Sequence, residues 1–306
     1  MYLQGGFFIS LCASKSQYSM NRYLSLVKFS HTIFALPFAL LGFFLGTLST
    51  GGPLSWKLLG LVLLCMIFAR SAAMAFNRYL DRDIDQRNAR TAKREIPAGV
   101  VSPAAALRFV MVNSVLFVLT TWFINTLCFL LSPLALLVIL GYSYTKRFTY
   151  LCHFVLGMGL ALAPIGAYIA VTGQFALLPL LYSGAVLLWV SGFDIIYALQ
   201  DDEFDRSLAL HSVPVQLGRR KALRLSTMLH LICALLIIAA GYQLYSSYPV
   251  FGWLHWLAAA IFIALLAFQH TLVKPHDLSR VNIAFFTTNG IASLVFGTLV
   301  ILDLYL

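Results

Sequence analysis

Charge is what this sequence has least of. Of its 306 residues only 10% are charged and eleven are acidic, against 60% hydrophobic and a mean hydropathy of +0.86. That poverty excludes a soluble domain of useful size and places the chain among polytopic membrane proteins. Cysteine is also thin: Cys12, Cys65, Cys128, Cys152 and Cys233 form no CxxC pair and lie mostly within apolar runs. They read as small core residues rather than redox groups. The seven histidines show no HxxxH or ExxH spacing, which speaks against zinc and against a di-iron bundle. The first 19 residues lack a basic n-region and are too short to span a bilayer. Residues 1–20 read as a disordered segment or an upstream start-codon extension, with Met20 opening a frame of its own, in a chain that is one integral-membrane domain over 1–306.

What is abundant is apolar length. Stretches of about 20 apolar residues predict nine helices, near 27–49, 55–80, 103–123, 126–145, 151–172, 175–200, 220–245, 250–272 and 282–304. The fold class expected is an all-α membrane bundle around a central cavity open to the cytoplasmic side. Basic residues test the topology, because they collect in short cytoplasmic loops. Arg82, Arg87, Arg90, Lys93 and Arg94 follow the second helix; Lys146 and Arg147 follow the fourth. Arg206, Arg219, Arg220 and Lys221 follow the sixth, and Lys274 and Arg280 the eighth, whereas the opposite side has only Lys57. The N-terminus, with Lys15, Arg22 and Lys28, is then cytoplasmic. A net charge of +10 is accounted for by this bias together with an anionic substrate, and needs no nucleic acid.

Eight of the eleven acids fall in two clusters, Asn77 to Asp85 and Asp194 to Asp205, each ending a long apolar run on that same cytoplasmic side. Asn77, Asp81 and Asp85 stand four apart, as do Tyr197, Asp201 and Asp205. Helical spacing stacks each set on one face, where like charges repel unless a cation sits between them. Eight acids facing lipid at roughly 2.5–3.5 kcal/mol each would be prohibitive, so they must line a polar cavity. A divalent cation bridging an oligophosphate suits two facing carboxylate sets, since Mg²⁺ uses one or two carboxylates plus substrate phosphates. Asp83, Asp202 and Glu203 fall outside the stacked faces and read as bystanders.

Cations complete an anion site. Arg90 and Arg94 follow the first cluster, and Tyr142, Lys146 and Arg147 close the fourth helix on the same side. Arg70 lies two turns inside the second helix on the strip of Asn77, and an intramembrane arginine marks function. Its expected partner is Asp194 or an anionic substrate group. Asp194, two turns deeper than Asp201, could complete the metal site, bind a hydroxyl of a second substrate, or pair with Arg70. Two related halves, helices 1–4 and 5–8, would each supply one cluster from their second helix. A cation- or proton-coupled transporter also keeps acids in a bundle, but tends to place them near the midplane rather than beside basic loops. A lipid-binding scaffold would need no second cluster.

At these residues the chain resembles the UbiA superfamily of intramembrane prenyltransferases, over nearly its whole length from about Arg22. The family's NDxxDxxxD motif appears as Asn77-Arg78-Tyr79-Leu80-Asp81-Arg82-Asp83-Ile84-Asp85, and its YxxxDxxxD motif matches Tyr197, Asp201 and Asp205. Its usual sequel to the first motif looks like Arg90-Thr91-Ala92-Lys93-Arg94-Glu95-Ile96-Pro97, and Arg70 and Asp194 align as well. Tyr142-Ser143-Tyr144-Thr145-Lys146-Arg147-Phe148-Thr149 resembles the YPxxKRxT signature of the 4-hydroxybenzoate polyprenyltransferase branch. The opening helix, from Val27 to Ala39, looks more like a subgroup associated with dihydroxynaphthoate and menaquinone. Two departures stand out: Arg78 replaces the common Asp, and Glu95 the usual Pro. The resemblance implies an enzyme of the inner membrane, with its site facing the cytoplasm, that moves a polyprenyl group from its diphosphate, drawn from the lipid bilayer, to an aromatic hydroxy acid. One Mg²⁺ is expected on Asn77, Asp81 and Asp85 and a second on Asp201 and Asp205. Arg90, Arg94, Lys146, Arg147, Tyr142 and Tyr197 are expected at the diphosphate, and Arg70 and Asp194 at the acceptor, with Asp81, Asp85, Asp194, Asp201 and Asp205 carrying the catalysis.

Overall fold

Apolar runs punctuated by capping residues set the helices one by one. In the computed structural model residues 34–248 and 252–306 are described; the expectations for the start-codon extension, Cys12, Lys15, Arg22, Lys28 and the first turns of the opening helix fall outside them. Helix α1 (Leu36–Thr50) is short and apolar, and α2 (Trp56–Leu80) starts where the Ser55 hydroxyl accepts the Leu58 N–H. Helix α4 (Pro103–Trp122) opens with the Ser102 cap and a proline in its first turn, which needs no donor there. Asn125 caps α5 (Thr126–Thr145) through Cys128 N–H and donates its amide to the carbonyl of Ile169, tying α5 to α6 (Cys152–Thr172). The remaining long helices are α7 (Leu177–Ala198), α10 (Arg219–Ser247), α11 (Leu254–Leu272) and α12 (Asn289–Asp303). A π-helical stretch, Ile283–Thr288, precedes α12. Among the described residues eight helical segments are long and apolar enough to cross a membrane, with the shorter α1 beside them. The protein is a multi-pass, all-helical membrane protein.

Both acid clusters sit at a break that spacing alone did not foretell. The helix α2 stops at Asp81 (φ −89°, ψ 3°), which caps the six-residue α3 (Arg82–Arg87). Likewise α7 gives way to α8 (Asp202–Ser207), capped by Asp201 (φ −111°, ψ 5°). The amide of Asp85 donates to the Asp81 carbonyl, and that of Asp205 to the Asp201 carbonyl, each at 2.7 Å. Acids crowd the first turn of α3 and α8, where exposed N–H groups and the helix dipole favour negative charge. The middle aspartate of each motif thus plays the same backbone role, in keeping with two related halves.

Packing sorts the helices into two groups. The core is built from α1, α6, α7, α10, α11 and α12, with Phe38, Trp189, Phe262 and Phe296 buried at its centre. Helices α2 and α4 pack together as a second group around Ala72, Ala75, Ala106 and Val110. Close approach of α6 and α7 requires Gly157: a Cβ there would stand 2.5 Å from the Leu187 carbonyl oxygen. Among the described residues α2 and α7 make no extensive contact, and the two acid clusters lie beside the seam between the groups, where Asn88 and Arg90 from the loop after α3 reach Asp201.

Candidate functional site

Loops close that seam with cations. Asp81, 2% exposed, accepts from the Asn77 amide at 3.1 Å, from Lys146 Nζ at 2.6 Å and from Arg147 Nη2 at 3.1 Å. Arg147 is itself anchored on the carbonyls of Ser143 and Leu80, each at 2.9 Å. Arg94 folds back from the loop after α3 and grips both oxygens of Asp85, at 2.7 and 2.9 Å. Across the seam Arg90 forms a bidentate pair with Asp201 and donates to the Tyr197 hydroxyl at 2.9 Å. The Asn88 amide joins the same carboxylate at 3.1 Å. The carbonyl of Lys146 takes the His211 N–H at 2.7 Å, which fastens the α5–α6 loop to the segment after α8.

The four cations expected at a diphosphate are therefore the four that neutralise three of the expected metal ligands. Asp205 differs: among the described residues no hydrogen bond or ion pair engages its side chain, and partial burial raises its carboxyl from 3.8 to about 6, with Lys146 opposing and Asp201 and Asp81 adding to the rise. Asp83 is solvated, 3.8 Å from Arg82. Asp202, expected as a bystander, is buried and held by Arg219 at 2.7 and 2.8 Å, while exposed Glu203 shares the same guanidinium. Those two acids brace α8 against the start of α10.

Deeper in the seam Tyr142 lies within the fields of Asp81, Asp194 and Arg70. Asp194 does not pair with Arg70, one of the outcomes expected for it; His153 takes Asp194 Oδ2 instead, at 2.7 Å. Among the described residues Arg70 Nε is buried with no hydrogen-bond partner, as are Arg78 Nε and Nη1. Arg78 is 3% exposed, near Arg94, Glu95, Asp85 and Tyr142, so the chain's departure from the family motif is turned inward rather than into water. Sequence reasoning missed His153. A single histidine in an apolar run gives no spacing signal; its position directly after the basic loop, at the mouth of α6, was the available hint.

The aromatic wall comes from α7 and the π-helical stretch. Phe285 stacks on Tyr197 at 4.1 Å and meets Phe193 edge-on at 5.4 Å. The widened turn is held by Asn289, whose amide donates to the carbonyls of Ala284 and Phe285 and whose oxygen accepts from Trp189 Nε1. Such wide turns often aim side chains at functional sites.

Among the described residues no three His, Cys, Asp or Glu side chains converge as a closed metal cage. The donors near the seam are carboxylate and amide oxygens, a hard set that suits Mg²⁺, which takes only one or two carboxylates and fills its shell with water and phosphate. They do not suit a structural zinc.

Sequence comparison agrees with this geometry. The model of the UbiA prenyltransferase family matches residues 35–291. The chain belongs to the UbiA prenyltransferase family. Its relatives include the 4-hydroxybenzoate octaprenyltransferase of Aliivibrio fischeri (strain MJ11), 32% identical over 81% of this chain and 85% of that protein. The protein of the same name from Aeromonas salmonicida (strain A449) is 33% identical over 83% of this chain and 86% of its own length. A UbiA homologue from Aeropyrum pernix K1, solved in its apo form, superposes with a TM-score of 0.78 at 34% identity, covering 89% of this chain and 98% of that one. A homologue from Archaeoglobus fulgidus, solved with GPP and Mg²⁺, shares the fold at a TM-score of 0.72 and 21% identity, over 93% of this chain and 100% of that one. Membership in the UbiA prenyltransferase family makes the chain a prenyltransferase and displaces the transporter and scaffold alternatives.

Proposed function

We propose that this UbiA enzyme transfers a polyprenyl group from polyprenyl diphosphate to the ring of a 4-hydroxybenzoate-type acid in quinone biosynthesis, from a site on the cytoplasmic face of the inner membrane. The observation that carries the reading is the interleaving of acids and bases: Asp81, Asp85 and Asp201 each hold a Lys or Arg drawn from a loop. These carboxylates would hold the metal of a magnesium diphosphate and the freed cations its phosphate, so no buried charge would be stranded. Asn77, Asp81 and Asp85 would hold one Mg²⁺, and Asp201 and Asp205 the other. Bound there, Mg²⁺ supplies Lewis-acid neutralisation of the leaving diphosphate.

The chain's own groups do the rest. Arg90, Arg94, Lys146 and Arg147 turn to the diphosphate, where guanidinium forks match phosphate oxygens and meet the charge that grows as the allylic C–O bond breaks. Tyr142 and Tyr197 flank that head group. Phe193, Phe285 and Tyr197 exclude water and offer ring faces to the allylic cation. Arg70, with its orphaned Nε, takes the acceptor carboxylate, and Asp194 its hydroxyl. The ring carbon ortho to the hydroxyl bonds to the prenyl carbon and then gives up its proton. The names of the relatives favour hydroxybenzoate over dihydroxynaphthoate as acceptor. Incubating protein-containing membranes with Mg²⁺ and a labelled polyprenyl diphosphate, with both acids in competition, identifies the acceptor by product mass; no prenylated product from either acid would refute the reading.

A further inference from the structure

His153 carries more information than its contact with Asp194. Its side chain is only 3% exposed; Nδ1 lies 2.7 Å from Asp194 Oδ2, Nε2 lies 3.2 Å from the backbone nitrogen of Val213, and the neighbouring Cys152 side chain also comes within hydrogen-bonding range of the ring. The Val213 N–H can only donate, so Nε2 must present a lone pair. A ring that accepts there carries its one proton on Nδ1, directed at the carboxylate, and is neutral. A doubly protonated ring would set Nε2–H against the Val213 N–H. The side chain of Asp194 is 21% exposed, and among the described residues nothing donates to its other oxygen, Oδ1.

The surroundings hold this arrangement rigidly. Ser191 Oγ donates to the Leu187 carbonyl at 2.7 Å and lies 3.2 Å from the His153 carbonyl, and Gly157 permits the close α6–α7 crossing one turn further on. Val213 is fully buried as the first residue of the short helix α9 (Val213–Leu217), whose Ser212 cap fixes the direction of that N–H. The histidine therefore joins α6, α7 and the loop beyond α8.

We propose that His153 is a positioning residue for the acceptor half-reaction: held as the neutral Nδ1–H tautomer by Val213, it fixes Asp194 so that the free Oδ1 takes the acceptor's hydroxyl proton. The inference rests on the aromatic-acceptor reading above. As the hydroxyl proton moves to Oδ1, the ring carbon bonds to the prenyl carbon and the electron pair of the broken C–O bond leaves with the diphosphate, giving a cyclohexadienone. The ring carbon's proton then passes to the released diphosphate while Asp194 returns its proton to the oxygen, which restores the aromatic ring and leaves Asp194 ionised. In this role His153 touches no substrate; its work is to stop the carboxylate rotating and to keep one oxygen aimed.

The test combines kinetics with a direct view of the ring. In the purified full-length protein, His153→Leu lowers kcat by about 10- to 100-fold, with the KM of both donor and acceptor within about twofold. His153→Asn, whose amide N–H can stand where Nδ1–H stands, recovers most of that loss. In a double-mutant cycle His153→Leu adds little to Asp194→Asn, because the two act as one unit. Nitrogen-15 NMR of the histidine-labelled protein without substrate shows the neutral Nδ1–H tautomer for the resonance that His153→Asn removes. Val213→Pro deletes the backbone donor, and Ser212 already has the extended backbone (φ −148°, ψ 163°) that precedes proline. That variant populates the other tautomer and lowers kcat with the donor KM unchanged. An Nε2–H tautomer or an imidazolium in the wild type, or a His153→Leu loss that appears in KM instead of kcat, would overturn the proposal. If the wild type prenylates neither acid, the aromatic-acceptor reading fails while the tautomer measurement still decides the His153–Val213 arrangement.

Discussion

Replacing Asp81 by Asn changes one charge at the most heavily used carboxylate of the site. Its side chain is 3% exposed and meets Lys146 and Arg147 at 2.6 and 3.1 Å. Breaking a buried pair by removing one partner costs about 3–5 kcal/mol. Here the two stranded cations are 28% and 30% exposed, so water screens them and a loss of about 1–2 kcal/mol in stability is expected. The effect on catalysis is larger, because the same oxygen set is lost to the metal and the cations that should turn to phosphate have no resting partner. Removing one preorganised electrostatic group costs about 100-fold or more in kcat, equal to about 2.7 kcal/mol of barrier. The assay is Mg²⁺-dependent transfer of labelled prenyl in detergent, with thermal melting as the folding check. Asp83→Asn is the internal control, since its 75% exposed side chain reaches Arg82 only at 3.8 Å, and it should stay within about twofold. An Asp81→Asn enzyme within tenfold of wild type, or an Asp83→Asn enzyme equally impaired, would refute the reasoning.

Arg70→Leu should raise the acceptor KM much more than the donor KM in steady-state assays; equal rises would reject its carboxylate role. Because the folded metal-free protein holds a proton on Asp205 up to about pH 6, whereas an ordinary aspartate releases it at 3.8, this group's contribution to stability falls as pH rises between those values and is constant above. Metal must displace that proton, so Mg²⁺ affinity should climb through the same window, and Asp205→Asn should flatten the climb in a pH series of metal titrations. Gly157→Val should lower the melting temperature and the activity together, since its side chain would press on the Leu187 backbone. Arg219→Gln, which releases Asp202 and Glu203 but no expected ligand, should loosen α8 and raise the Mg²⁺ requirement while sparing the KM for the acceptor.

Much of this site was legible because chemistry is concentrated where the chain can least tolerate it. Asn77, Asp81, Asp85, Tyr197, Asp201 and Asp205 stand out since acids in so apolar a chain demand a purpose, and fourfold spacing forces them onto shared faces. Arg70 was visible for the same reason. Less legible was what each partner does. Asp85 and Arg94 are near neighbours in sequence, but the pairing of Arg90 with Asp201 spans |i−j| = 111 and exists only because the α2–α4 group closes on α7. Asp202 looked like a solvated bystander until Arg219 was found beside it. His153 had no sequence signal that separated it from a core histidine.

By itself the sequence determined the membrane bundle and the limits of its long helices, because hydrophobic length and helical spacing are local properties. Tertiary structure alone decided the helix breaks at Asp81 and Asp201, the matching of each acid to its cation, and the choice of His153 rather than Arg70 for Asp194. Those outcomes depend on which helix ends packing brings within 3 Å or so of one another, the reach of a hydrogen bond, and no local pattern encodes that distance.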